Sequence, residues 1–305
     1  MRHLQTLKYI DAIAKAGSIR SAAEVLSITS TALNRRILAL EEELGVPIFE
    51  RFAQGVRLSA AGEIFITHAR SQIQDMERVK SQISDLSGAR RGHVSIACSQ
   101  ALLPYFLPEQ ITEYREVHPG VNFSVFLHDR SAAEDAIINM LADIAIVFEP
   151  IRTAEIHTIH AIPQQIHAVL SADHPLAERE LLRIRECMLY PMSLPSRGYG
   201  VRHLIERAVA DASFSLEPVV VSNSFEFLRH HAVAEGILSF QIPIGLLEDG
   251  ETPGVVKRPI DPRDVPIGFV HISQLKGRAL PVAVARFVEQ IVKVLEERYP
   301  AYQGA

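Results

Sequence analysis

The strongest constraint on this chain is the punctuation of its first forty-five residues. Leu4, Leu7, Ile10, Ile13 and Ala14 fall at helical intervals, and Gly17 closes the run as a helix end should. Ser18 is placed to cap a short second helix through Ala22, Ala23, Val25 and Leu26. After a break at Ser27 and Ile28, Thr29 is placed to cap a third helix whose stripe is Leu33, Ile37, Leu40 and Leu44, stopped by Gly45 and Pro47. Two helices joined by a tight turn make a helix-turn-helix outline.

From Val46 to Leu58 short extended pieces surround a polar turn at Ala53 to Gly55, flanked by Arg51 and Arg57, which predicts a small β-wing. Ser59 or Ala60 then opens a long helix reaching about Leu86. Phe65, Ala69, Met76, Val79, Ile83 and Leu86 lie on alternating three- and four-residue steps, with Gln72 at the one polar step. A heptad seam on an otherwise polar helix predicts pairing with a second copy of itself.

Residues 88–92 close a small, basic stretch with two glycines, which reads as a hinge. Beyond it strands alternate with helices: strand His93–Cys98, helix near Leu102–His118, strand Val121–Leu127, helix near Ala132–Met140, strand Ile144–Phe148. A second unit follows, with strand Ile166–Ser171, helix near Tyr199–Ala212, strand Val219–Val221 and helix near Phe225–Ala234. A return strand, Ile267–His271, and a helix, Pro281–Glu297, finish the first unit. This spacing predicts an α/β region with a largely parallel sheet.

The 305 residues suffice for two or three domains. No apolar run is long enough to span a bilayer and no secretion segment leads the sequence, so a cytoplasmic location and no membrane partner are expected. Two cysteines, Cys98 and Cys187, without Cys-x-x-Cys spacing, exclude a disulfide framework or zinc finger as organiser. The net charge of −5 is unevenly spread. Residues 1–92 hold 13 Lys/Arg against 10 Asp/Glu, a balance of +3, and residues 93–305 hold 18 against 26, a balance of −8. A local cationic face is enough for phosphate binding, so the N-terminal part is the candidate.

The ordered set Gly17-Ser18-Ile19, Ala22-Ala23-x-x-Leu26, Leu38-x-Leu40-Glu41-x-x-Leu44-Gly45, Ile48-Phe49-Glu50-Arg51 and Leu58-Ser59-x-Ala61-Gly62 resembles the LysR-type transcriptional regulators. Asp173-His174-Pro175-Leu176 and Leu141-Ala142-Asp143-Ile144-Ala145 add to the likeness, which covers essentially the whole chain. The resemblance implies an α/β protein with an all-α, winged N-terminal part. Residues 1–59 are then a winged helix-turn-helix, 60–87 a dimerising linker helix, and 93–305 a sensor domain like periplasmic binding proteins. Its subdomains are 93–162 with 267–305, and 163–266. It implies a transcription regulator that binds double-stranded promoter DNA and a small-molecule effector, as a homodimer assembling to a homotetramer, with no cofactor. Two departures stand out. Many members read Gln-Pro-Ala-Val-Ser where this chain reads Ser30-Thr31-Ala32-Leu33-Asn34, so base preference does not transfer. Many read Gly-x-Gly-Ile where this chain reads Gly236-Ile237-Leu238-Ser239.

Ser30, Thr31, Asn34 and Arg35 occupy the first turns of the third helix away from its apolar stripe, where a recognition helix meets the major groove. Asn can contact adenine bidentately and Arg guanine. Arg36 beside that face is a candidate for a phosphate. Arg57 is expected to meet phosphates or the minor groove, whereas Arg51 is balanced between DNA and an ion pair with Glu50 or the Glu41 to Glu43 cluster. For the effector, Cys98 ends a strand immediately before Ser99 and Gln100. There a helix N-terminus would offer N–H groups to an anion, although plain capping by Ser99 explains the same pattern. The resemblance adds His128, Phe148, Ser196, Arg197 and Ser224 to this pocket, with Arg197 equally compatible with a solvated loop. Cys98 lies at the expected pocket, where a small core residue is favoured over an oxidant sensor. The pairs His157/His160 and His230/His231 diverge, so no metal site is expected.

Two rival functions remain: an α/β enzyme and a solute-binding module without DNA activity. No Gly-x-Ser-x-Gly, Gly-x-x-x-x-Gly-Lys, His-Glu-x-x-His or Gly-x-Gly-x-x-Gly occurs, which opposes the enzyme. The basic helical front end opposes the solute carrier.

Overall fold

The computed structural model describes residues 2–86, 91–210, 216–247, 251 and 253–300. Its contacts divide the chain into two compact units, Met1–Ser87 and Gly88–Ala305. Among the described residues no helix is long and apolar enough to cross a membrane.

The first unit holds helices α1 (Arg2–Ala16), α2 (Ile19–Val25) and α3 (Ser30–Leu44), strands β1 (Phe49–Phe52) and β2 (Gly55–Leu58), and the long helix α4 (Ala60–Leu86). The caps fall where the side chains allow. Ser18 Oγ accepts from the Ser21 N–H and Thr29 Oγ1 from the Ala32 N–H, while Gly45 ends α3 in the left-handed conformation. One core then forms from Ile10, Ile13, Ala22, Ala23, Leu33, Ile37, Ile48, Phe49 and Ile66, all buried. The Glu41 carboxylate accepts the N–H groups of Ile48 and Phe49 at 2.8 and 3.0 Å, which ties the wing to the end of α3.

The expected seam on α4 is divided by this core. Ala69 is buried and Ile66 packs on the helix-turn-helix, while Arg70 pairs with Asp11 at 2.8 Å. Ala69 therefore serves the single chain and is corrected out of the seam. Val79 and Ile83 remain 40% and 59% exposed; the Leu86 side chain lies outside those described.

The second unit begins with β3 (Arg91–Cys98), a 3-10 turn (Gln100–Leu102), α5 (Phe106–Val117), β4 (Gly120–Leu127), α6 (Arg130–Ile138), β5 (Ile144–Phe148) and β6 (Ile156–Gln164). Next come β7 (His167–Ser171), α7 (Ile184–Cys187), β8 (Ser193–Pro195), α8 (Gly200–Val209), β9 (Val220–Ser222), α9 (Phe225–Glu235) and β10 (Ser239–Gln241). A 3-10 turn (Pro243–Gly245), β11 (Val255–Pro259), β12 (Gly268–Leu275) and α10 (Val282–Arg298) complete it. Residues 88–90 of the expected hinge lie outside the described residues, whereas Arg91 and Gly92 already belong to β3.

The larger sheet has the order β4-β3-β5-β12-β6. Its β3 pairings with β4 and β5 are parallel, as expected, but β12 runs antiparallel to both β5 and β6. The smaller sheet, β10-β7-β11, is antiparallel throughout. A largely parallel architecture is thus corrected. Gly268 pairs with Gln164, so β6 and β12 form a widened hairpin whose loop is the entire second subdomain, and a hairpin must return antiparallel. The strand β6 escaped the sequence reading because a register shift opposite Ile272 and Ser273 breaks its period of two. It also carries the larger sheet to Gln164, two residues past the expected subdomain edge.

Candidate functional site

On the first unit, the caps and stripe of α3 leave Ser30, Thr31, Arg35 and Arg36 exposed and Asn34 half-buried, while Leu33 and Ile37 face the core. Arg51 and Arg57, on the two wing strands, are exposed as well. Four of these side chains are held. The Arg51 guanidinium donates to Asn34 Oδ1 at 2.8 Å rather than pairing with the acidic cluster, whose Glu41 is engaged by backbone. Arg36 lies 5.4 Å over the Tyr9 ring, and Arg57 lies 5.6 Å over Phe52. The surface thus offers hydroxyls, one carboxamide and several guanidinium groups on a helix and an adjoining hairpin, a set able to bind phosphates and base edges.

In the second unit, the carboxyl end of β3 faces the beginnings of α8 and α9 across a cleft between the two subdomains. Ser99, Arg130, Phe148, Tyr199, Gly200, Val201, Phe225 and Ile242 enclose a cavity of about 10 Å³, the size of a single water. Gly200 is needed for this closure, since a Cβ there would stand 2.3 Å from the Phe148 carbonyl oxygen. Beside it a larger recess of about 210 Å³ is lined in part by Gln100, Leu127, Ser224, Arg229 and Gln241. Gln100 spans the cleft: its Oε1 accepts the Phe225 N–H at 2.5 Å and its Nε2 donates to the Asn223 carbonyl. Ser224 caps α9, accepting from the Phe227 N–H at 3.2 Å.

Two cations border these spaces. Arg130 donates to the Glu149 carbonyl, and burial lowers its pKa. The Arg229 side chain is only 8% exposed, stands 5.9 Å over Tyr105 and 3.7 Å from Glu226, and its Nε has no hydrogen-bond partner. Ser99 Oγ is likewise buried without a partner. A buried unpaired donor is costly, so both groups favour an acceptor arriving in the cleft.

Of the residues expected at this pocket, the structure brings Ser99, Gln100, Phe148 and Ser224 to the two spaces. Cys98 is fully buried under the sheet, and burial pushes its thiol up to about 12, so it is a packed core residue with almost no thiolate at neutral pH. Strand alternation is the reason, since it turns Cys98 inward next to Ser99. His128 and Ser196 do not line either space; both are placed by backbone bonds, His128 N–H to Cys98 O and Ser196 N–H to Ser222 O. Arg197 points to solvent and pairs with Glu206 at 3.3 Å, which corrects its assignment to the pocket. Arg130, Tyr199, Phe225 and Arg229 were missed. Only Tyr199 carried a local signal, standing before the glycine that opens α8; the others reach the cleft through tertiary packing.

The model for the bacterial regulatory helix-turn-helix protein, lysR family, matches residues 4–63, and that for the LysR substrate binding domain matches residues 87–296. Among curated proteins the chain is 27% identical over 300 residues to the uncharacterized HTH-type transcriptional regulator YbhD of Escherichia coli, covering 98% of this chain and 90% of that one. Full-length OxyR of Pseudomonas aeruginosa, carrying a cysteine substitution, shares the fold with a TM-score of 0.72 at 21% identity, covering 99% and 98% of the two chains. Full-length CbnR in complex with its target DNA shares it with a TM-score of 0.64 at 18% identity, covering 95% and 99%.

Proposed function

The chain belongs to the LysR family of transcription regulators, and from that premise we propose how its own residues divide the work. It is a DNA-binding transcription regulator with an effector-binding domain, not an enzyme. In our reading residues 1–59 meet promoter DNA, α4 within 60–87 dimerises, and 93–305 senses the effector between subdomains 93–162 with 267–305 and 163–266. Ser30, Thr31, Asn34 and Arg35 read base edges. Arg36 and Arg57 add phosphate contacts, and Arg51 joins the same DNA-facing surface beside Asn34. Dimers pair into tetramers, and the protein works in the cytoplasm. The observation that carries the DNA reading is the row of polar side chains left outward on α3 once Leu33 and Ile37 are buried.

The effector in this reading is a small anion that sits at Gln100, Ser224 and Arg229 and reaches toward Ser99. The buried Arg229 guanidinium with its unpartnered Nε supports a negative charge. Such a ligand gains contacts on both walls only when they approach, so it biases the angle between subdomains. Gel mobility shift on DNA upstream of its own operon tests the whole. Asn34→Ala and Arg35→Ala should each weaken specific binding by ~1–3 kcal/mol with the fold intact; unchanged binding by both variants would remove α3 as the reading helix.

A further inference from the structure

We propose that Arg51 is a positioning residue for Asn34, fixing the sense in which the carboxamide on α3 is presented to a base. The inference rests on the reading of α3 as the helix that meets DNA. Arg51 is exposed on β1, and its Nη2 donates to Asn34 Oδ1 at 2.8 Å. A guanidinium has donors only, so the atom facing it must be the oxygen. Turning the amide over would set NH2 against N–H.

The consequence lies in how an asparagine reads DNA. The last torsion of its side chain is broad and roughly two-fold, so a free carboxamide samples two orientations that exchange donor and acceptor. Adenine presents a donor beside an acceptor in the major groove, whereas guanine presents two acceptors, so the two orientations favour different bases. Holding Oδ1 selects one of them.

The post that carries Arg51 is itself fixed. Glu41 on α3 binds the N–H groups of Ile48 and Phe49 just before it. The hairpin ladder sets Arg51 opposite Val56, and the Val56 N–H donates to the Gly17 carbonyl at 2.8 Å. The wing strand therefore keeps a set distance from α3, and the hydrogen bond converts that distance into the orientation of one side chain.

The test is selection from a randomised duplex library by the full-length protein and its Asn34→Ala, Arg51→Ala and double variants, with circular dichroism confirming the fold of each. Asn34→Ala should flatten the preference at one position per half-site, where a good bidentate contact discriminates by roughly 5- to 150-fold. Arg51→Ala should lower the preference at that same position by roughly threefold or more, leave other positions alone, and add nothing in the double variant. An arginine that only binds phosphate would instead weaken all sequences evenly and reduce the salt slope by about 1, and that pattern overturns the proposal. Unchanged preferences in Asn34→Ala would also overturn it while leaving DNA binding intact. Absence of any selected sequence from the parent protein would defeat the reading of α3 itself.

Discussion

Replacing Gln100 with alanine removes a side chain that hydrogen-bonds across the cleft at both of its polar atoms. Oε1 loses the Phe225 N–H and Nε2 loses the Asn223 carbonyl. At ~0.5–1.5 kcal/mol net for each bond, the closed arrangement loses ~1–3 kcal/mol, a factor of roughly 5 to 150 in its population relative to an opened cleft. Ser224 adds no replacement bond across the cleft, because it caps the same helix that carries Phe225. Amide hydrogen exchange on the full chain reads this directly: the segment from Asn223 to Leu228 should exchange faster in Gln100→Ala by a factor in that range, while β3 and β5 stay protected. Gln100→Glu separates the two bonds, since it keeps the acceptor but turns a carboxylate toward the Asn223 carbonyl; it should also loosen the segment. Exchange of Phe225 within twofold of the parent in both variants would show that Gln100 does not hold the cleft.

Two further outcomes are expected. Met76→Glu with Ile83→Glu sets like charges on the seam of α4 at one half-buried and one exposed position, so sedimentation should show tetramers falling to dimers; an unchanged tetramer would remove the seam from the assembly. His271 is buried beside Arg152, with its Nε2 3.1 Å from that guanidinium, and burial together with Arg152 lowers its pKa from 6.5 to about 4. Between these values the unfolded chain binds the extra proton, so this group's contribution to stability is present above pH 6.5 and is lost as the pH falls toward 4. His271→Asn should flatten the fall in denaturant midpoint across that window, and an identical slope in both proteins would contradict the assignment.

What the sequence determined by itself was local: caps, stops and periodic stripes. Ser18, Thr29 and Gly45 act through neighbours three or fewer residues away, so α2 and α3 end where those residues stand. The outward row on α3 was legible for the same reason, because burying Leu33 and Ile37 fixes which side chains turn out. Tertiary structure decided what depends on residues far apart in the chain. The antiparallel return of β12 follows from inserting a whole subdomain into a hairpin, which no window of sequence displays. The same distance hid the true walls of the cleft. Arg130 on α6 and Phe225 with Arg229 on α9 come together only after both subdomains pack, whereas Arg197, equally charged and in a glycine-rich loop, turns to solvent and Glu206. The sequence leaves Arg51 balanced between DNA and an acidic partner; the fold sets it on Asn34 rather than on Glu41, whose carboxylate is engaged by the backbone of the wing.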